Sequence, residues 1–208
     1  MNHYNNKERL KGSFKQKARK VMVKAIHDSE TSKGMILTLP FEKCMIEKMI
    51  LNKTKRYSFM GCEIDRKTYK NMVKTIIKDD LLDYFSMHRG FLSEMIYGKG
   101  KDAYSHIIAD YCGQLHKQAK ELSYAIKNNI VEVNGTISIT LCERIHPTGL
   151  RFEKNITKDH PKRGKITRCE HQLRCFIKSV AGNNYEIETV MRYKDTAQMI
   201  LMIVRRVK

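Results

Sequence analysis

The sequence predicts an α+β fold: an N-terminal mixed, mainly helical lobe followed by a four- to five-stranded antiparallel sheet packed on a long helix. Three observations carry this. Apolar residues recur at intervals of three and four up to Asn128. From Ile130 the period changes to two. Asn134-Gly135, the strongest short hairpin signal, stands at that change. The 208 residues suffice for one domain of two lobes or two small domains.

The elements follow in chain order. Residues 1–33 read as a basic arm and linker. Leu10, Phe14, Ala18, Val21 and Ala25 form a one-sided apolar stripe, and Lys7 to Lys24 holds eight cations against one acid. Residues 34–102 read as a mixed, mainly helical region. Met35 to Leu39 is a short strand stopped by Pro40, and Phe41 to Met49 has helical spacing. Arg56 to Ile64 is a second strand. Asp65 is placed to cap a helix carried by Tyr69, Met72, Val73, Ile76, Ile77, Leu81 and Tyr84.

Residues 103–208 read as the long helix plus the sheet. Tyr104, Ile108, Tyr111, Leu115, Ala119, Leu122 and Ile126 predict the helix. Strands are predicted at Val131 to Val133, Thr136 to Ile145, Thr167 to Lys178, Tyr185 to Tyr193 and Ala197 to Arg206. Met199 to Val204 is apolar at every position, which places the last strand inside the sheet. Pro147 to Ile166 is a long, basic connection with six cations against two acids.

Composition then points to partners. Forty Lys and Arg against 22 Asp and Glu give a formal net charge of +18. A surface that basic favours nucleic acid, with RNA preferred over DNA, or a protein component of a nucleic-acid machine. No apolar run approaches the ~20 residues of a membrane span, and Met1 to Arg19 lacks the apolar stretch of a secretory signal. The six cysteines include no C-x-x-C pair, so reduced thiols in the cytoplasm are expected.

The candidate phosphate contacts are Lys11, Lys15, Arg19 and Lys20 in the arm, and Lys99 and Lys101 in a Gly-Lys-Gly-Lys turn before the long helix. Arg151, Lys162, Arg163, Lys165 and Arg168 in and beside the connection join them, as do Arg205 and Arg206 near the end. The expected function is nucleic-acid binding, to RNA or a ribonucleoprotein. The alternatives are a small metal-independent ribonuclease or a regulator that binds a polymerase or nuclease. His146, His160 and His171 are the candidate acid and base of that ribonuclease. Cys142, His146, His171 and Cys175 have metal-ligand chemistry, but strand parity sends one pair to the opposite face, so no metal is expected. Asp102, His106 and Asp110 share one face of the predicted helix and read as solvated. There is no glycine-rich nucleotide fingerprint and no Walker loop, and no cofactor is expected.

Overall fold

Seven strands form one sheet in the order β3-β2-β1-β4-β5-β7-β6. The computed structural model describes residues 13–32, 34–111, 113, 115–143, 168–195 and 197–208. The strands are β1 (Met35–Thr38), β2 (Ser58–Cys62), β3 (Phe85–His88), β4 (Tyr104–Asp110), β5 (Val131–Cys142), β6 (Tyr185–Lys194) and β7 (Gln198–Arg206). The helices are α1 (Ser13–His27), α2 (Met45–Leu51), α3 (Arg66–Lys78), α4 (Leu92–Ile96), α5 (Leu115–Lys127) and α6 (Arg168–Ala181). β1 to β5 pair in parallel, and β7 runs antiparallel to both β5 and β6. The expected four- to five-stranded antiparallel sheet is therefore wrong. The sheet is mostly parallel and begins with β1.

Two apolar clusters sandwich it. Ala18, Met22, Val23 and Ile26 of α1, Ile46 and Ile50 of α2, and Met72 and Ile76 of α3 cover one face, meeting Ile36, Phe59, Ile108, Leu201 and Ile203. Leu92 and Ile96 of α4, Leu122 and Ile126 of α5, and Leu173 and Phe176 of α6 cover the other, meeting Leu37, Ile107, Ile139, Ile200 and Met202. Burying one such aliphatic side chain contributes about 1.5–3 kcal/mol. The alternation Ile107/Ile108 and Met202/Ile203 feeds both layers at once, as central strands with two covered faces require.

That double burial explains the main misreading. The helix predicted from Tyr104 to Ile126 is β4 followed by α5. Every side chain from Tyr104 to Ala109 is buried, so apolar residues occupy the offsets of a helix by default. The Gly98 to Lys101 turn thus leads into a strand and does not start a helix. The segment from 167 to 178, read as a strand, is α6, whose Leu173, Phe176 and Ile177 are buried at helical spacing. Asn134-Gly135 is not a hairpin but a bulge inside β5. Tyr104 pairs with Val131 and His106 with Thr136, leaving the intervening residues of β5 to loop out. Asn134 takes a left-handed φ of 66° there, and a side chain on Gly135 would run into the Ser105 carbonyl.

Other readings hold. β7 lies between β5 and β6, as its two-faced apolar run requires. Asp65 caps α3, its carboxylate accepting from the Thr68 N–H at 2.7 Å. The arm's stripe is partly core: Ala18 and Ala25 are buried, while Phe14 is exposed. α1 packs against α2 and against β5, β6 and β7. Among the described residues, no helix is long and apolar enough to cross a membrane.

Two buried polar groups lock this arrangement. His106 is fully buried in β4. Its Nδ1 accepts from the Thr136 N–H at 3.1 Å, which leaves the proton on Nε2, 3.0 Å from the Ser29 hydroxyl. Burial, with Arg205 and Arg56 adding like charge, pushes its pKa down to about 3. Arg206, 1% exposed, donates to Asp102, to the carbonyls of Asn129 and Val131, and to that of Lys208.

Candidate functional site

A parallel sheet wound in both directions leaves a crevice where the winding reverses, outside the carboxyl ends of its strands. Here the chain moves outward from β1 through β2 to β3, then returns to β4 beside β1. The reversal lies between β1 and β4, and a small cleft open to solvent sits there. Leu39, Pro40 and Phe41 following β1, Glu47 of α2, Asp110 ending β4 and Arg19 of α1 line it.

Each wall has a local cause. The β1–α2 connection has no glycine, yet it turns sharply because Cys44 adopts a φ of 47°, the left-handed conformation usually left to glycine. Gly61 of β2 supplies space for Pro40; a Cβ at that glycine would lie 3.0 Å from Pro40 Cγ. Glu47 is buried and accepts from the Thr38 hydroxyl at 2.6 Å. Burial raises its pKa above the ordinary carboxyl value; the Thr38 bond and the Arg19 charge oppose the rise. Asp110 accepts from the Thr140 hydroxyl of β5. The thiols of Cys44 and Cys62 are buried and pushed up to about 12, so neither is a nucleophile.

Along the same rim, Glu63 follows β2 directly. Its N–H donates to the His88 carbonyl at 3.1 Å, and its carboxylate accepts from the Asp65 N–H at 2.8 Å. His88 ends β3 and stands 2.6 Å from the Glu94 carboxylate. Gly90 makes that pair possible, because a side chain there would collide with both partners.

The residues expected from sequence scatter. Lys11, His146, Arg151, His160, Lys162, Arg163 and Lys165 lie outside the described residues. His171 is on helix α6, not on a strand, and its Nε2 faces Cys175 of the same helix at 3.7 Å. Arg168 opens that helix. Lys15 pairs with Asp195 at 2.8 Å, and Lys20, Lys99 and Lys101 are exposed. Arg205 donates to Glu188 and to the Asn134 and Ala25 carbonyls. Arg206 is interior and holds the turn around Asp102 rather than a phosphate. The Asp102, His106, Asp110 row is no helix face: a turn, a core position and a cleft wall hold its three members. Among the described residues, no group of three or more His, Cys, Asp or Glu is placed to hold a metal. Among the described residues, Arg19 is the one predicted contact that lines the cleft. Glu47, Glu63 and the His88–Glu94 pair went unread, because their strand-end positions emerge only once the strand order is known.

No family model and no curated protein matches the chain. Solved structures do. The human methyltransferase 10 domain containing protein aligns over 92% of this chain and 82% of its own, at 10% identity and TM-score 0.60. The fold is that of the Rossmann-like methyltransferases. An O-methyltransferase family protein from Burkholderia thailandensis aligns over 93% of this chain and 56% of its own, at 12% identity and TM-score 0.57. Pyrococcus horikoshii TYW2, solved in complex with MeSAdo, aligns over 92% and 62%, at 13% identity and TM-score 0.56. This methyltransferase fold overturns the expected nucleic-acid-binding or ribonuclease function. Of the three histidines expected to serve the ribonuclease, His171 lies on a helix and not on the sheet, while His146 and His160 lie outside the described residues.

Such folds imply an S-adenosylmethionine site, and the residues present fit one. A carboxylate just past the second strand suits a ribose diol, and Glu63 stands there. The switch-point cleft is lined by two cations, Arg19 and Lys43, and two carboxyl groups, Glu47 and Asp110. The one departure is the missing glycine turn after β1.

Proposed function

We propose that this protein is a methyltransferase using S-adenosylmethionine as donor. The single observation carrying this reading is the cleft at the β1/β4 reversal, at the same end of the sheet as Glu63, which directly follows β2. When bound, the donor supplies a sulfonium methyl group open to attack by a nucleophilic acceptor. Glu63 accepts from the ribose hydroxyls. Asp110, oriented by Thr140, places negative charge beside the cleft and favours positive charge on the donor or on an attacked amine. Pro40 and Phe41 close the apolar side of the cleft and limit water.

For the acceptor we propose a nucleic acid, as a substrate to be modified. α1 and α3 cover one sheet face and carry no acid; α3 has five cations and α1 four besides the buried Arg19. That surface suits a phosphate backbone. We also place the protein in the cytoplasm, where the free thiols at Cys44, Cys62, Cys142, Cys169 and Cys175 stay reduced.

The test is calorimetric titration of the full chain with S-adenosylhomocysteine, beside a methyl-transfer assay from labelled donor to RNA and DNA. Wild type is expected to bind, and Glu63→Ala to bind about 10- to 100-fold more weakly, the value of hydrogen bonds to a charged acceptor. A wild-type chain that does not bind S-adenosylhomocysteine overturns the proposal.

A further inference from the structure

The cleft lacks the usual way of meeting an anion. A glycine-rich turn offers free backbone N–H groups that a ligand can approach closely, but this β1–α2 connection has no glycine. The Leu39 N–H is spent on the Ile108 carbonyl at 3.1 Å, and the Cys44 N–H on the Phe41 carbonyl at 2.8 Å. Pro40 has none.

Two cations line the cleft: Lys43 of this connection, which is exposed, and a buried one that comes from elsewhere. Arg19 is 7% exposed, the guanidinium of a helix that precedes the sheet, and it lines the same cleft as Pro40 and Glu47. The alternation of α1 explains its position: Ala18, Met22, Val23 and Ile26 pin the helix to the sheet, and Arg19 lies on that pinned face. Burying a guanidinium costs several kcal/mol unless oxygen atoms surround it, and Glu47 and Asp110 line the cleft with it. Its five N–H donors allow it to hold a protein oxygen and a ligand carboxylate together.

We propose that Arg19 holds the α-carboxylate of the donor's amino-acid part, replacing from α1 the backbone amides of the absent glycine turn. The proposal rests on the methyl-donor reading above and specifies how that site selects its ligand. Arg19 is a binding residue for the ligand's charge. Adenosine recognition remains with the β2 and β3 ends, so a ligand lacking the carboxylate must be indifferent to Arg19.

Two probes separate these effects. S-adenosylhomocysteine has the carboxylate; 5′-methylthioadenosine has the same nucleoside and thioether without it. Calorimetry on the full wild-type chain is expected to show S-adenosylhomocysteine binding at least about tenfold tighter. Arg19→Gln should weaken S-adenosylhomocysteine by about 10- to 100-fold and leave 5′-methylthioadenosine within about twofold. Arg19→Lys keeps the charge and most of the stem but loses the bidentate fork. It should lose about 3- to 10-fold for the first probe alone, and it keeps the experiment readable if the Gln variant does not fold. Equal losses for both probes, or no loss for either, overturn the assignment of Arg19 while leaving the donor site standing. A wild-type chain that binds neither probe overturns the site itself and this assignment with it. Wild type binding 5′-methylthioadenosine alone overturns carboxylate recognition only.

Discussion

Acidification should unfold this protein through His106. The ring is neutral in the fold, its pKa depressed to about 3 from an ordinary 6.5 by burial and by the Arg205 and Arg56 charges. The unfolded chain protonates near 6.5; the folded chain does not. Between those values the unfolded state binds more protons, so stability falls as pH falls. The contribution is fully present above pH 6.5 and is lost progressively toward pH 3. At pH 4.5 the gap is two pH units, and at 1.36 kcal/mol per unit the loss is about 2.7 kcal/mol. The comparison is His106→Gln, which removes the titration. That variant also weakens the Thr136 and Ser29 contacts, so it is less stable at pH 7; the informative quantity is the change with pH. Urea unfolding followed by circular dichroism at pH 7, 5.5 and 4.5 gives it. Wild type should lose about 2.5–3 kcal/mol more than the variant over that range. Parallel pH profiles would refute the reasoning, as would a wild-type His106 resonance that titrates near 6.5 in the folded protein.

Arg206→Met should cost about 3 kcal/mol in urea unfolding, because it strips the donor from the Asn129 and Val131 carbonyls and from Asp102. An unchanged midpoint would return Arg206 to the surface. Gly90→Ala should separate His88 from Glu94, whose carboxyl pKa is held below its ordinary value first by that hydrogen bond. Carbon-detected NMR titration should then find the Glu94 pKa moved up, and an unmoved value would show that the pair is not what holds it.

Legibility followed burial. α3 and its Asp65 cap were readable because one helix face meets solvent and the other meets the core, leaving a clean period. β6 and β7 were readable from their turns. β4 was not, since both its faces are covered and periodicity vanishes when every position is apolar. In α6 the odd-numbered run Cys169, His171, Leu173, Cys175, Ile177 imitates a strand, while Phe176, which breaks the alternation, is the residue that completes the helical face. The site was less legible still. A glycine fingerprint would have announced the β1 turn, but Cys44 makes it with an ordinary side chain. Arg19 looked like one more cation in a basic arm, because nothing local distinguishes a lysine or arginine that faces a cleft from one that faces water.

The packing of α1 sets a timetable for biosynthesis. Lys15 pairs with Asp195 across 180 positions, and Arg205 reaches back to the Ala25 carbonyl across another 180. At roughly 5–20 residues per second, a ribosome needs about 10–40 s to travel that far. For all of that interval α1 has Met22, Val23 and Ile26 ready and no β6–β7 hairpin to receive them. β7 must then enter between β5 and β6 before the sheet is whole. A nascent chain of this design leaves the exit tunnel with its earliest helix still waiting, a natural client for a chaperone that shields apolar segments until translation ends.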